Sequence, residues 1–207
     1  MKSSLAWLAG LWLAVSVAGA EPRRLFDGQS LAGWNGDTRT TWRIEQGVIV
    51  GGSLTQTVPR NEFLATDRAF TNFVLRLQFK LSGTEGFVNS GVQIRSQRVP
   101  NHHEMAGYQA DIGPGWYGCI YDESRRNKVL AKPSDEAVAA AVKPGAWNDY
   151  EIRCEGRRVR LRLNGREMVD YTEADESLAQ HGVIGLQVHG GGKTEVRFKD
   201  LTIEELP

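Results

Sequence analysis

Cysteine is scarce in this sequence of 207 residues. Cys119 and Cys154 are its two cysteines, and neither stands in a CxxC or CxxH pair. A structural zinc site needs several closely spaced cysteine and histidine ligands, so the spacing argues against one. Cys154 alternates with Tyr150 and Ile152, which predicts a place on a core face. The alternative for an exported protein is a disulfide between the two cysteines.

Net charge is also lacking, because 25 Lys and Arg residues balance 25 Asp and Glu residues. The basic residues are spread among acidic ones, so the sequence offers no basic stripe for a nucleic-acid backbone. We therefore expect no nucleic-acid partner. An uncharged partner suits this composition better.

Long apolar runs are confined to the first twenty residues. Lys2 is followed by an apolar run from Leu5 to Val17 and by the small residues Ala18-Gly19-Ala20, a pattern typical of a secretory signal peptide. The alternative is a retained membrane anchor, but the run is shorter than the about 20 residues that span a bilayer. No cysteine stands directly after the apolar run, which argues against a lipid anchor. We expect residues 1–20 to be cleaved and an exported protein, periplasmic or extracellular, without a transmembrane segment.

Helical periodicity is rare, whereas short runs with strand alternation recur between turn signals. Residues 73–81 alternate over nine positions, and Asn164-Gly165 is a strong hairpin signal. Only residues 134–142 suggest a helix, which Pro144 ends. About ten strands without βα alternation predict an all-β fold of two packed antiparallel sheets. Residues 21–207 show no linker and are interpreted as one domain.

Polar residues recur on one predicted face of three strands. Side chains alternate along a strand, so Gln93 should share a face with Arg95, and Gln109 with Asp111. The segment 184–189 repeats the pattern with Gln187 and His189. If these strands are neighbours in one sheet, an amide, a guanidinium, a carboxylate and an imidazole converge on a single surface.

Two loops add further candidates. The triplet His102-His103-Glu104 suggests a metal site, although adjacent residues cannot easily bind one ion and loop histidines are usually solvated. Trp116, Tyr117 and Tyr121 follow a Gly-Pro-Gly turn, where aromatic rings could stack on a ligand; core packing is the alternative for Tyr121 and loop packing for Trp116. The charged residues 122–128 are interpreted as a solvated loop that could form a wall of the cleft.

An ordered set of short motifs runs through most of residues 21–207. The set comprises Leu25-Phe26-Asp27-Gly28 with Leu31 and Gly33-Trp34, Asn89-Ser90-Gly91 with Arg95, Tyr108-Gln109 with Asp111, Trp147-Asn148, Leu163-Asn164-Gly165, Ile184-Gly185-Leu186-Gln187 with His189, and Val196-Arg197-Phe198. With these motifs the chain resembles the 3-keto-disaccharide hydrolase domain family. The resemblance implies a jelly-roll sandwich of the concanavalin or laminin-G type. Val188 departs from the pattern, since many relatives carry Asp there.

The resemblance also implies an exported enzyme that acts on glycosides already oxidised to a ketone at sugar carbon 3. Such a ketone acidifies the hydrogen at carbon 2, so removal of that proton gives an enolate that can expel the group at carbon 1, and water then adds to the enone. This chemistry needs a general base, hydrogen-bond donors facing the oxyanion and an acid for the leaving oxygen. It also implies an upstream sugar 3-dehydrogenase that makes the ketone.

We expect His189 to be the base, because imidazole ordinarily titrates near neutral pH, with Asp111 as the competing candidate. Asp111 could instead orient His189, pair with Arg95, or bind a divalent cation with Gln109. Arg95 is the expected oxyanion clamp. The expected substrate-binding residues are Asn89, Gln93, Gln109, Gln187, Trp116, Tyr117, Tyr121 and Lys193. The sequence requires no cofactor, and a divalent metal stays open. The alternative function is a non-catalytic, lectin-like carbohydrate-binding module.

Overall fold

The computed structural model of the protein describes residues 21–207, so the predicted signal peptide, residues 1–20, lies outside the described residues. Strands make up most of the described chain. In chain order they are β1 (Arg23–Arg24), β2 (Trp34–Asn35), β3 (Trp42–Glu45), β4 (Val48–Gly52), β5 (Glu62–Phe70), β6 (Phe73–Gly86), β7 (Ser90–Arg98), β8 (Met105–Ile112), β9 (Ile120–Glu123), β10 (Lys128–Ala131), β11 (Asn148–Glu155), β12 (Arg158–Leu163), β13 (Arg166–Thr172), β14 (Gly182–Val188) and β15 (Gly192–Glu205).

These strands form two antiparallel sheets, which confirms the predicted all-β fold class. The larger sheet has the order β13-β12-β11-β6-β15-β4-β3, with β1 paired to β15. The smaller sheet has the order β10-β9-β8-β7-β14-β5-β2. Chain neighbours often lie far apart in these orders, so most of the fold depends on pairings between distant segments.

Local turn chemistry fixes two of the hairpins. Gln46 and Gly47 connect β3 to β4 with φ angles of 51° and 78°, and Asn164 and Gly165 connect β12 to β13 with φ angles of 48° and 79°. Two consecutive residues with positive φ form the turn whose twist matches antiparallel strands, and Asn and Gly tolerate that conformation best. The Asn164-Gly165 hairpin is the one that the sequence predicts.

The core lies between the sheets and is built from the alternating apolar positions. Phe73, Leu75, Leu77, Phe79 and Leu81 on β6 are at most 6% exposed, as their alternation predicts. Full burial of a side chain of this size stabilises the fold by about 1.5–3 kcal/mol. The predicted core position of Cys154 is confirmed, and both cysteines are buried free thiols rather than a disulfide.

A short helix, α1 (Asp135–Ala141), covers part of the sandwich. Ser134 caps it by accepting a hydrogen bond from the amide of Ala137, and Val142 ends it in an extended conformation. The predicted helix is therefore confirmed with slightly narrower bounds. Within residues 21–207, no helix has the length and apolar character needed to cross a bilayer.

Candidate functional site

The three strands with polar faces are neighbours, in the order β8-β7-β14. Gly91 on β7 lies opposite Asp111 on one side and opposite Gln187 on the other. A Cβ atom at Gly91 would lie 2.7 Å from the amide carbon of Gln109. The missing side chain at Gly91 therefore leaves the space in which the Gln109 amide rests beside Asp111.

A chain of hydrogen bonds crosses this face and ends on Asp111. Ser96 Oγ donates to Gln93 Oε1 over 2.6 Å, and Gln93 Nε2 donates to Gln109 Oε1 over 2.8 Å. Gln109 Nε2 then donates to Asp111 Oδ1 over 2.7 Å. All four side chains are buried, so the chain fixes the orientation of the Asp111 carboxyl.

The Asp111 carboxyl is held in its neutral form. It is 2% exposed, and burial raises its pKa to about 8 despite the lowering effect of the Gln109 hydrogen bond; the nearby Glu123 charge makes a smaller raising contribution. Its second oxygen, Oδ2, has no hydrogen-bond partner among residues 21–207. A buried carboxylic acid with a free oxygen can donate a hydrogen bond at neutral pH.

Asp111 lines a pocket of about 140 Å³. The lining residues are Phe87, Asn89, Gln109, Asp111, Trp116, Tyr121, Glu123 and His189. Six of these eight are residues that the sequence singled out. The pocket combines titratable groups, amides and aromatic rings, as a site for chemistry on a small polar ligand requires.

A larger cleft of about 380 Å³ lies elsewhere, along the larger sheet between β6, β11 and β12. Arg76 in that cleft is paired with Glu151 at 2.9 Å and with Glu204 at 3.1 Å. These charges satisfy each other at the solvent-facing surface, so we place the candidate site in the smaller pocket with its buried carboxyl.

His189 forms one wall of the pocket, directly after β14. Its backbone amide donates to Asn89 O over 3.1 Å, and its ring Nδ1 lies 2.7 Å from Gly190 O. A carbonyl oxygen only accepts hydrogen bonds, so in the neutral ring Nδ1 carries the proton and Nε2 carries the lone pair. The ring of Phe87 packs edge to face against the imidazole, with centroids 4.6 Å apart.

Glu123, which is not among the predicted site residues, forms another wall of the pocket, the alternative that the sequence left open for the segment 122–128. Burial raises the pKa of Glu123 to about 7, and the Glu104 charge adds to this effect. The segment 122–128 had been interpreted as a solvated loop, but β9 carries its first two residues into the sheet. The available signal was strand alternation, because Glu123 lies two residues after Tyr121 and so shares its face.

The aromatic predictions divide between the pocket and the core. Trp116 and Tyr121 line the pocket and pack edge to face, with centroids 5.9 Å apart. Tyr117 instead lies in the core, where it stacks on Phe79 with centroids 6.3 Å apart. Phe87, which the sequence analysis did not select, is 42% exposed and supplies the further aromatic surface.

The expectation that Arg95 shares a face with Gln93 is wrong. Arg95 has a φ of +51°, and the pairing of β7 with β8 shifts register between Ile94 and Gln97. This bulge breaks the alternation and turns the guanidinium away from Asp111. It donates instead to Thr71 O, Gly156 O, Gln180 Oε1 and Asn72 Oδ1. Arg95 therefore ties loops together and does not line the pocket.

Three other predicted ligand-binding residues do not line the pocket either. Lys193 pairs with Glu85 at 2.6 Å. Gln93 lies behind Gln109 in the hydrogen-bond chain. Gln187 is fully buried, and neither atom of its amide has a hydrogen-bond partner in the described part of the chain.

The two histidines of the suggested metal site, His102 and His103, pack against each other. The rings of His102 and His103 lie 4.2 Å apart, and His103 Nε2 lies 3.3 Å from Glu104 Oε1. Across residues 21–207, no three His, Cys, Asp or Glu side chains are grouped as metal ligands would be.

A family model described as a 3-keto-alpha-glucoside-1,2-lyase-like domain matches residues 21–204. The chain belongs to this family. No curated protein matches the sequence significantly. The predicted family is thus confirmed over nearly all of the described chain.

Solved structures show the same fold in distant proteins. A "putative glycosyl hydrolase" from Parabacteroides distasonis is 20% identical, with 90% of this chain and 94% of that chain covered and a TM-score of 0.67. Carbohydrate-binding module CBM66 from Bacillus subtilis is 17% identical, with 84% and 96% covered and a TM-score of 0.65. A Bacillus subtilis protein of unknown function with a galectin-like fold is 10% identical, with 91% and 96% covered and a TM-score of 0.65. At these identities the likeness concerns the fold alone.

Proposed function

We propose that this protein cleaves 3-keto-glycosides, with His189, Asp111 and Glu123 handling the protons. The observation that carries the proposal is their meeting in one pocket of about 140 Å³, where burial keeps Asp111 neutral. A site that only binds sugar needs amides and aromatic rings but no such acid and base set. Membership of the family supplies the substrate class.

His189 acts as the base in this proposal. Its Nδ1 proton is engaged by Gly190 O, so the lone pair on Nε2 is available to remove the proton at carbon 2 of the sugar. The electrons of the broken carbon–hydrogen bond move into the ketone at carbon 3. The product of this step is an enolate beside an imidazolium ion.

Asp111 stabilises the enolate oxygen, the role that the sequence analysis gave to Arg95. A neutral carboxyl can donate a hydrogen bond from Oδ2, and the Gln109 amide holds the other oxygen in place. Donors fixed in a buried site stabilise a developing oxyanion without having to reorganise. Burial of Asp111 therefore supplies the donor in place of a cation.

Glu123 serves as the acid for the leaving group. With a pKa of about 7, it is partly protonated near neutral pH and can give its proton to the oxygen on carbon 1 as that bond breaks. The enolate becomes an enone, to which water then adds. The water oxygen bonds to carbon 1 and one of its protons passes to the Glu123 carboxylate, while carbon 2 regains a proton from the His189 imidazolium ion. Both side chains return to their starting forms, so the sum of the steps is hydrolysis.

The test is release of a chromogenic leaving group from a 3-keto-glucoside, with the unoxidised glucoside as control and with arms containing EDTA or added divalent metal. We expect release from the keto substrate alone and its loss in His189→Gln. Asp111→Asn should keep part of the activity, because the amide still donates a hydrogen bond, whereas Asp111→Ala should not. Equal losses in both Asp111 variants would instead make Asp111 the base. No release in any arm would reject the proposal.

A non-catalytic carbohydrate-binding module is the second candidate. The observation in its favour is the exposed ring of Phe87 beside the pocket, together with Trp116, since aromatic faces bind sugar rings. Titration calorimetry with unoxidised glycosides would support this candidate if binding were tight and no bond were cleaved.

We also propose export through the amino-terminal segment, residues 1–20, on the sequence pattern alone. An oxidoreductase that converts a sugar hydroxyl to a ketone must then act before this protein. Mass spectrometry of the mature chain tests the first point, with Glu21 as the expected amino terminus.

A further inference from the structure

His189 is followed by three consecutive glycines, residues 190–192. Glycine allows a wide range of backbone angles, so this segment needs external contacts to keep one conformation. The Gly190 carbonyl accepts the Nδ1 proton of His189, and its position therefore decides which ring nitrogen carries the lone pair. Contacts that fix the position of Gly190 therefore also fix the ring of His189, the proposed base.

The segment Val58–Asn61 supplies those contacts. Asn61 Oδ1 accepts from the Gly190 amide over 3.0 Å, and Val58 O accepts from the Gly191 amide over 2.7 Å. A Cβ atom on Gly190 would lie 2.5 Å from Arg60 Cα, so the two backbones are in direct contact. Glycine at position 190 is what permits this approach.

Asn61 also bonds Glu104, whose charge acts on a second residue of the pocket. Its Nδ2 donates to Glu104 Oε1 over 3.0 Å, and the Glu104 charge in turn raises the pKa of Glu123. Because one end of the amide accepts and the other donates, only one orientation of Asn61 satisfies both partners. The Glu104 carboxylate only accepts hydrogen bonds, so Asn61 must direct its Nδ2 to Glu104 and its Oδ1 to the Gly190 amide.

We propose that Asn61 is a positioning residue, which holds the Gly190 backbone so that His189 keeps its proton on Nδ1 and its lone pair on Nε2. The proposal rests on the proposed function for its catalytic consequence. Its structural consequence concerns the free protein and holds whether or not the protein cleaves any substrate.

Nitrogen NMR of the imidazole rings tests the structural consequence. We expect the neutral His189 ring of the unaltered protein to be protonated on Nδ1, with the signal assigned by its absence in His189→Gln. In Asn61→Ala the preference should fall toward a mixture of the two tautomers. Asn61→Asp, made together with Glu104→Gln so that two carboxylates do not face each other, keeps an acceptor for the Gly190 amide and should retain most of the preference.

Arg60→Ala is the matched control, because the Arg60 side chain bonds Glu62 and is 58% exposed, while its backbone contact with Gly190 is kept. We expect this variant to leave the tautomer unchanged. Circular dichroism and urea unfolding should show that all variants fold. An unchanged His189 tautomer in Asn61→Ala, in a folded protein, would overturn the proposal.

Kinetics on a chromogenic 3-keto-glucoside give the second readout. Loss of one net hydrogen bond should lower kcat of Asn61→Ala about tenfold with little change in KM, since the residue touches no substrate. Asn61→Asp together with Glu104→Gln should recover much of that loss, and Arg60→Ala should show none. If the unaltered protein releases no product, the proposed function fails, while the NMR result still decides the role of Asn61.

Discussion

Asp111→Asn should stabilise the protein at alkaline pH and leave its stability unchanged at acidic pH. The folded protein raises the pKa of Asp111 from 3.8 to about 8. Between these values the unfolded chain has lost a proton that the folded protein retains, so the free energy of unfolding falls as pH rises. Below both values each state is protonated, and the penalty disappears.

The size of the effect follows from the shift. Each pKa unit corresponds to about 1.4 kcal/mol, so the full shift sets a ceiling of about 6 kcal/mol above about pH 8. Asp111 lines a pocket that solvent can enter, and water that enters on ionisation relaxes part of this penalty. We therefore expect Asp111→Asn to be more stable by about 3 kcal/mol near pH 9. Near pH 3, below both pKa values, the amide replaces a carboxyl that is neutral in both states, and the difference should be close to zero.

Urea unfolding, monitored by tryptophan fluorescence, measures the free energy of unfolding of the unaltered protein and of Asp111→Asn at several pH values. Asp170→Asn is the control, because the Asp170 carboxylate pairs with Arg158 and its pKa is lowered. Stability from a lowered pKa is lost only as pH falls into the acidic range, so this control should differ from the unaltered protein by a constant amount between about pH 5 and pH 9. A constant difference for Asp111→Asn as well would refute the reasoning.

Three further predictions follow from other contacts. Arg95→Leu should lower the free energy of unfolding by about 3 kcal/mol, since it leaves four acceptors without their donor, while kcat of the folded protein stays unchanged; a selective loss of kcat would return Arg95 to the site. Phe87→Ala should raise KM more than it lowers kcat, and an unchanged KM would remove Phe87 from substrate binding. Glu123→Gln should abolish the fall in kcat as pH rises through about 7 and should lower kcat itself; a pH profile that keeps this limb would assign it to another group.

Strand periodicity predicts most of the fold because it is a local property. The alternation along residues 73–81 identifies an inner face that the structure buries, and the polar alternation of Gln109 with Asp111 places both on the outer face of the smaller sheet. The adjacency of β8, β7 and β14 had to be assumed from sequence and is confirmed. It depends on pairings between segments far apart in the chain.

The sequence-based predictions fail where contacts between distant segments override the local alternation of side chains. Arg95 adopts a positive φ at a bulge that interrupts the strand alternation. The neighbouring sequence does not indicate this bulge, because the acceptors that hold the guanidinium come from three distant loops. Glu123 stands in a charged segment, and the Glu104 charge that adds to its raised pKa comes from another part of the chain. Asn61 belongs to no motif, and its bonds reach 43 and 129 residues along the chain.

The most direct test of the account is the isotope effect on a 3-keto-glucoside that carries deuterium at carbon 2. A nitrophenolate leaving group departs easily, so removal of the proton at carbon 2 should limit the rate. The account predicts that deuterium slows nitrophenolate release several-fold and that His189→Gln abolishes release. Equal rates for the two isotopic substrates, with the unoxidised glucoside cleaved as well, would contradict proton abstraction by His189 and indicate direct displacement at carbon 1.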